Sequence, residues 1–340
     1  MKFNRTYTLT VGVPPIGPVT QVTKSTPGPN YGFNQTIASN QQRATDKGVF
    51  TRTTTASQSI TLPISLEFSI DRAFMSSVNT GTFKLYNLSE EQRNQLLKPY
   101  YTQSLYVPVQ LRAGYELGNQ GLIFNGQVMI GRSYRIGRNN IVTELTCKDN
   151  SFMYSNSFSN FTTNPQTTLK QALIDLNSDL LTAFPTPLFG TIPDIQFIRP
   201  KSFVGPTFTQ IQNILDKYQL NATIDLSQLR VMGKNEGFIT SKEPYEISSA
   251  TGLLDVPMPT DNSSVVCKML FEPSFYIGQL VKLNSTENPA YNGIYPIYGI
   301  KHEGIISPSV NGQFVTTLDL YKPYAGTTPV TITGNLSLPS

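Results

Sequence analysis

The sequence predicts a mainly β protein with a smaller α+β part, in which two β-barrel domains are linked by an α+β module. Apolar and polar residues alternate without a break over 60–71, which is typical of a half-buried strand. The hydrophobic period becomes helical between about 151 and 250, and short alternating segments return after 251. A chain of 340 residues is long enough for two or more domains.

The first barrel is predicted over 1–150. In its strongest strand, 60–71, Pro63 falls on the polar side, which favours an edge strand or a bulge at that point. A turn over 137–140 is expected to join two strands into a hairpin. The other predicted strands cover 6–13, 105–113, 122–130, 134–136 and 141–148.

One short helix is predicted inside this β region. Ser89 as N-cap and Gln92 three residues later form a capping box. Leu96 and Leu97 are expected to be its buried end, and Pro99 to stop it, because proline cannot continue a helix.

An α+β module is predicted over 151–250. Its first helix is expected to enter at 164–165, and its second to begin after Gly205 and Pro206 and run over 208–218. A strand follows over 220–226. The first helix has one apolar face made of Leu169, Ala172, Leu173, Leu176 and Leu180.

A second barrel is predicted over 251–324, and 325–340 is expected to be a tail or an arm that a partner orders. Residues 14–58 are rich in Pro, Gly, Asn, Gln, Ser and Thr, and we expect a long excursion that reaches a neighbouring subunit. The strands of the second barrel are predicted over 265–271, 279–283, 294–301 and 314–321.

Composition narrows the class of function. A net charge of +4 is too small for a dedicated nucleic-acid binder, and charged residues at 14% suggest that partners cover much of the surface. The N-terminus lacks the apolar run of a signal peptide, and no apolar segment approaches the ~18 residues of a membrane span. Cys147 and Cys267 are expected to be buried thiols in a protein made in a reducing cytoplasm.

No catalytic residue, cofactor or metal site is predicted. The single histidine, His302, precedes Glu303 and is interpreted as a surface or turn residue, because no nucleophile motif accompanies it. A pair of carboxylates such as Glu67 and Asp71 leaves glycosidase chemistry open as a minor alternative.

A possible contact patch consists of Arg132, Arg135 and Arg138, in a stretch over 117–143 that holds no acidic residue. The simplest interpretation is a solvated hairpin. The alternatives are docking to an acidic protein surface and sequence-independent contact with nucleic acid phosphates.

Two sets of motifs resemble the baseplate hub proteins of contractile-tailed bacteriophages. The resemblance covers 60–110 and 264–320, and it extends to the middle module only through its order of helices and strands. In the first half the family-like residues are Tyr86, Asn87, Leu88, Ser89 and Arg93. In the second half they are Phe271, Pro273, Gly278, Asn292, Gly293, Tyr295 and His302.

The resemblance implies two tail-tube-like barrels and a structural virion protein without enzymatic activity. It implies a homotrimer of pseudo-sixfold symmetry that joins the hexameric tail tube to the trimeric central spike and surrounds the DNA path during genome ejection. The expected partners are the chain itself, the tail tube and spike proteins, and the tape measure and baseplate wedge proteins. DNA would pass without sequence recognition, and no membrane insertion is expected. The expected location is the tail baseplate, with assembly in the host cytoplasm.

Other functions stay open at this point. The chain could be a distal tail adaptor or tube-end protein, or the hub of a phage-tail-like particle. A β-sandwich carbohydrate-binding module is a further alternative, although the absence of Trp counts against it.

Gly278 and Gly293 are expected at positive φ, where a β-branched residue would disrupt the second barrel.

Overall fold

The structure is a computed structural model that describes most of the chain outside the N-terminal excursion. The described residues are 4–12, 58–74, 78–97, 107–118, 120–149, 157–180, 188–190, 192–226, 228–233, 236–239, 243–260, 264–308, 312–321 and 328–331. The predicted excursion over 14–58, the helix stop at Pro99 and most of the predicted tail fall outside these residues.

Strands dominate the first part of the chain, and their inward side chains are apolar at every second position, as the pleat requires. These strands are β1 (Arg5–Val11), β2 (Gln58–Thr61), β3 (Ser65–Ala73), β4 (Thr80–Tyr86), β5 (Pro108–Tyr115), β6 (Gly121–Ile136) and β7 (Asn140–Lys148).

The segment 60–71 is two strands and not one, which corrects the prediction. Strand β2 ends at Thr61, and the chain turns through Leu62 and Pro63, which are joined by a cis peptide bond, before β3 begins. β2 pairs with β1, whereas β3 pairs with β4. The alternation continues across the corner, so the pattern alone did not reveal the break.

The predicted hairpin and capping box are both confirmed. β6 and β7 pair up to Ile136 and Asn140, and Gly137 in the turn has φ +65°. Helix α1 (Glu90–Leu97) begins after Ser89. The Ser89 N–H donates to Gln92 Oε1 at 3.1 Å, and the Gln92 N–H donates to Ser89 Oγ at 3.2 Å.

The middle part combines helices and short strands, as predicted. Helix α2 (Leu169–Asp179) buries its predicted apolar face, but its N-cap is Thr168, three residues beyond the expected entry. Helix α3 (Thr207–Asp216) follows Pro206. The strands here are β8 (Phe158–Thr162), β9 (Leu188–Gly190), β10 (Ser202–Pro206), β11 (Leu220–Asp225), β12 (Gln228–Gly233), β13 (Glu236–Ile239) and β14 (Tyr245–Ile247).

The last part is again β. Its longest strand, β18, extends past the predicted end at 301, and β20 lies within the stretch expected to be a tail or a partner-ordered arm. β20 pairs in parallel with β13 of the same chain. The strands are β15 (Met258–Pro259), β16 (Ser264–Leu270), β17 (Leu280–Leu283), β18 (Gly293–Ile306), β19 (Phe314–Tyr321) and β20 (Thr328–Thr331).

Strands from both ends of the chain join one sheet of thirteen strands within the described residues. β18 pairs antiparallel with β3, from Gly299 opposite Ala73 to Ile306 opposite Leu66. The mainly β class is therefore confirmed. The division into two closed barrels is not shown, because the hydrogen-bonded ladder continues from one half into the other.

Apolar side chains of the described residues form three clusters. The first is built mainly from β1–β7, the second from strands after β13, and the third from α2, α3 and β8–β12. Phe271 and Phe314 come from the last part of the chain but belong to the first cluster, where their rings stack at 4.1 Å. The two β regions are therefore joined by packing as well as by backbone hydrogen bonds.

Both cysteines are buried and unpaired, as predicted. In the described part of the chain, no helix has the length and apolar character needed to cross a membrane.

Candidate functional site

One face of the large sheet carries a row of alternating charges. The row crosses four neighbouring strands, because Glu67 lies opposite Lys84, Lys84 opposite Glu144, and Glu144 opposite Arg132. We call these four residues the charge ladder, and the face on which they lie the sheet face. Alternation along each strand keeps this face away from the first apolar cluster.

The ladder charges neutralise one another. Lys84 Nζ lies 2.8 Å from Glu67 Oε1, and Arg132 donates to both oxygens of Glu144 at 3.1 Å. The hydroxyls of Tyr86 and Tyr134 donate to the same two carboxylates.

Ionisation of both ladder carboxylates is favoured. Burial opposes ionisation of Glu67, but hydrogen bonds from Lys84 and Tyr86 lower its pKa. The hydrogen bond from Arg132 lowers the pKa of Glu144. The sheet face therefore presents paired charges and no strong field of one sign.

The three arginines of the predicted patch do not form one surface. Arg132 is exposed, but it is paired with Glu144. Arg135 is three residues further along β6, so its side chain projects from the opposite side of the sheet, and Arg138 lies in the turn. The arrangement disfavours a compact phosphate-binding site.

A second group of charges is buried where the three parts of the molecule meet. Arg72 of β3 lies 3.4 Å from Asp225, and Arg230 of β12 lies 3.8 Å from the other oxygen of the same carboxylate. All three side chains are at most 1% exposed. We call these residues the buried junction.

The junction residues also bind the backbone of the last part of the chain. Arg72 Nη2 donates to the carbonyl of Phe275 at 2.8 Å, and Arg230 Nη1 donates to that of Ile277 at 3.4 Å. The guanidinium of Arg230 lies over the ring of Tyr276 at 4.7 Å. One set of contacts thus holds together three segments, namely β3, the β11–β12 hairpin and 275–277.

Asp149 lies beside the junction without a direct cationic partner among the described residues. Asn79 donates to its Oδ2 at 3.2 Å. Burial raises the pKa of Asp149 well above its usual range, and the negative charge of Asp225 acts in the same direction. A proton on this carboxyl is therefore favoured by the fold.

The sequence contains one signal of the junction. Arg72 continues the inward positions Leu66, Phe68 and Ile70 of β3, so strict alternation places its charge inside. A charged residue at an inward position needs a buried partner. That partner, Asp225, is far away in sequence and could not be identified.

His302 is fully buried, which corrects its interpretation as a surface or turn residue. It lies on β18, its Nδ1 is 2.9 Å from the Thr316 hydroxyl, and its ring is 5.2 Å from that of Phe271. Burial lowers its pKa well below the usual value, and the charge of Arg72 acts in the same direction.

The first set of family-like residues forms a structural turn between β4 and α1. Asn87 adopts φ +57°, and its side-chain oxygen accepts from the Ile141 N–H at 3.0 Å. Arg93 donates to the carbonyl of Leu88 at 3.1 Å, and Tyr86 binds Glu67. This turn fixes the start of the helix against β7.

The second set is distributed over the last part of the chain. Gly278 has φ +85°, and a Cβ there would come within 2.9 Å of Met232 and Phe238. Gly293 was expected at positive φ, and this is wrong, because it begins β18 outside the left-handed region. The side chain of Asn292 both accepts from and donates to the backbone of Ser285.

The remaining members of this set also have structural contacts. Pro273 packs against Gly121, where a Cβ would come within 2.6 Å of the proline ring. Tyr295 donates to the Tyr291 carbonyl. Phe271 contacts His302, and Gly293 packs against Tyr295, but the two sets lie in different parts of the molecule, and their functional role stays a prediction.

The described residues contain no group of three or more His, Cys, Asp or Glu side chains that could hold a metal ion. What the arrangement offers is a neutral sheet face and a rigid junction, which suit assembly.

The fold is that of phage tail proteins. It is similar to the 43 kDa tail protein of prophage MuSo2 from Shewanella oneidensis, with a TM-score of 0.52 and 9% identity over 81% of this chain and 97% of that one. It is also similar to a chain of the Francisella PdpA–VgrG complex, with a TM-score of 0.52 and 8% identity over 96% of this chain and 54% of that one. At these identities the likeness shows the fold alone. No sequence among the curated proteins matches the chain.

The family model of the baseplate hub protein gp41 matches residues 47–318, which is most of the chain. The protein therefore belongs to the baseplate hub gp41 family. It is a structural protein of the phage baseplate, and its family is not one of enzymes.

Proposed function

We propose that this chain forms a homotrimer of pseudo-sixfold symmetry that joins the hexameric tail tube to the trimeric spike. The observation that carries the proposal is the match to the baseplate hub family over residues 47–318. In this proposal 1–150 and 251–324 act as two tube-like barrels and 151–250 as the module between them. Two apolar clusters, one built mainly from 1–150 and one mainly from 251–324, support two such units in each copy, and Phe271, Ile306 and Phe314 join them by packing in the first cluster.

Three copies with two similar units each would present six units to a hexameric tube. A trimer can thereby match sixfold symmetry on one side and threefold symmetry on the other. The partners that we propose are the tube protein, the spike protein, and the tape measure and wedge proteins. The proposed location is the virion baseplate, after assembly in the host cytoplasm.

We propose further that the sheet face surrounds the DNA path. A wall that passes DNA without holding it should carry no excess of positive charge, because phosphate binding grows with each unpaired cation. The charge ladder pairs two cations with two carboxylates, which supports this role.

The test is the mass of the purified chain, alone and with its spike protein. We expect a trimer by mass photometry and a complex of three hub chains with one spike trimer. A stable monomer or a twofold dimer that binds neither spike nor tube protein would contradict the proposal. A chain that caps the tube but ignores the spike would indicate a tube-end protein.

A further inference from the structure

Exposed apolar side chains lie at one margin of the sheet face, on the second half of β6. Ile130, Tyr134 and Ile136 alternate along the strand together with Arg132 of the charge ladder, so all four side chains lie on the same side. They are 59%, 37% and 48% exposed. We call these three residues the first margin.

A similar set lies at the opposite end of the same face. Leu254, Met258 and Leu270 are 50%, 63% and 41% exposed. The Leu254 N–H donates to the Lys268 carbonyl, and Met258 lies opposite Val266, so this segment runs along the outer side of β16. We call these three residues the second margin.

Each margin lies along a strand segment that lacks a hydrogen-bonded strand on one side among the described residues. β5 pairs with β6 as far as Gln127, and the Val128 N–H still donates to the Val107 carbonyl; over 129–136 the described residues pair with β6 on the β7 side alone. β15 is the last strand at the other end. Pro257 and Pro259 lack N–H donors and protect that edge from uncontrolled strand addition. A partner at this edge would therefore be held by side chains.

We propose that the first margin of one copy packs against the second margin of the next copy, head to tail. The inference rests on the proposed trimer and names the surfaces that form it. Two different surfaces at opposite ends of one sheet generate a ring when the rotation closes. Side chains of the two margins project from the same face, so joining the edges makes them neighbours, as across two strands.

Charge also favours this pairing over a twofold contact. Arg135 and Arg138 are exposed near the first margin, whereas Asp255 is exposed between Leu254 and Val256 of the second. Asp255 and Lys268 together leave the second margin without net charge, so head-to-tail packing sets the arginines against a neutral surface that includes one carboxylate. A twofold contact through the first margin would place arginines against arginines.

The test uses two single substitutions on differently tagged copies, Ile136→Cys and Met258→Cys. The native thiols Cys147 and Cys267 are buried, so a short bis-maleimide reacts with the introduced cysteines. We expect cross-linked dimers when the two variants are co-expressed, and none when either is expressed alone. The control is Ile198→Cys in the middle module, which is 93% exposed and should cross-link with neither variant.

The outcomes separate the interface from the oligomer. A trimer by mass photometry without the Ile136–Met258 cross-link would overturn this interface and leave the proposed trimer standing. Cross-linking of one variant with itself would also overturn it. A chain that stays monomeric would defeat the proposed trimer and the interface with it.

A second measurement does not depend on cross-linking. Met258→Asp should raise the concentration at which half of the trimers dissociate by tenfold or more. Ile198→Asp introduces the same charge at a position that is even more exposed, and it should change this concentration less than twofold. Equal effects of the two variants would overturn the assignment of the second margin.

Discussion

The charge ladder and the buried junction contain the same kinds of side chain in opposite environments. In the ladder Glu67 and Lys84 are each 34% exposed and Arg132 is 67% exposed, whereas Arg72, Asp225 and Arg230 are at most 1% exposed. An exposed ion pair contributes about 0–1 kcal/mol to folding, because water screens it. Removing one partner of a buried pair costs about 3–5 kcal/mol, because a charge is left uncompensated. In this protein the burial of a charged pair, more than the number of pairs, decides how much it contributes to stability.

The largest effect is expected for Asp225→Asn. This substitution leaves Arg72 and Arg230 buried without their shared carboxylate, so the free energy of unfolding should fall by about 3–5 kcal/mol in urea titration. The control is Asp216→Asn at the exposed end of α3, which should change it by less than about 0.5 kcal/mol. A loss below about 1 kcal/mol for Asp225→Asn would mean that the buried junction contributes no more to stability than the exposed pairs of the charge ladder.

Protonation of His302 at low pH should lower the free energy of unfolding. Its pKa is lowered in the folded state by burial, so the unfolded chain takes up the proton first. The contribution of neutral His302 to the free energy of unfolding is complete above pH ~6.5. It falls as the pH drops below that value, by at most about 1.4 kcal/mol per pH unit. His302→Phe keeps a ring beside Phe271 and should remove this dependence in urea titrations between pH 7.5 and 5. Because the chain has one histidine, an unchanged slope would contradict the burial of His302.

Asp149 should respond to acid with the opposite sign. Burial raises its pKa in the folded state, so the native protein holds a proton that the unfolded chain releases above pH ~4. Its contribution is full below that pH and is lost as the pH rises through the raised folded pKa. Asp149→Asn imitates the neutral form and should flatten this part of the profile, without destabilising the protein at pH 7. A destabilised variant at pH 7 would show that the ionised carboxylate stabilises the fold.

The smallest effect is expected for Glu144→Gln in the ladder. The substitution removes the partner of Arg132, which is mostly exposed, so the free energy of unfolding should fall by less than about 1 kcal/mol. The loss should shrink further in 1 M NaCl, because salt screens exposed pairs. A loss above about 2 kcal/mol that salt does not change would mean that the charge ladder stabilises the fold as strongly as a buried ion pair does.

Local patterns predicted much of the fold. Alternation located most strands, the capping box placed α1, and the helical period placed α2 and α3, because neighbours in sequence decide these features. The corner at Pro63 was missed because an unbroken period of two does not distinguish one strand from two. The same period places His302 inward with Ile300 and Ile306, yet the absence of a nearby partner led to the opposite interpretation.

The pairing of distant strands could not be predicted from local patterns. The ladder exists because β3, β4, β7 and β6 are neighbours in that order, which is not their order in the chain. The junction likewise depends on β3 meeting the β11–β12 hairpin. Single residues such as Glu144 or Asp225 carry no local sign of the partner that they meet.

The contacts of Arg5, near the start of β1, affect when the chain can complete its folding. Its guanidinium donates to the carbonyls of Ile305 and Gly312 and lies over the ring of Phe314. β1 therefore cannot complete these contacts until segments 300 and 307 residues further along the chain have been synthesised. Such distant closure slows folding and leaves an open edge on nascent chains. Translation that stops early should accordingly yield aggregates, and holdase chaperones should raise the yield of the intact chain.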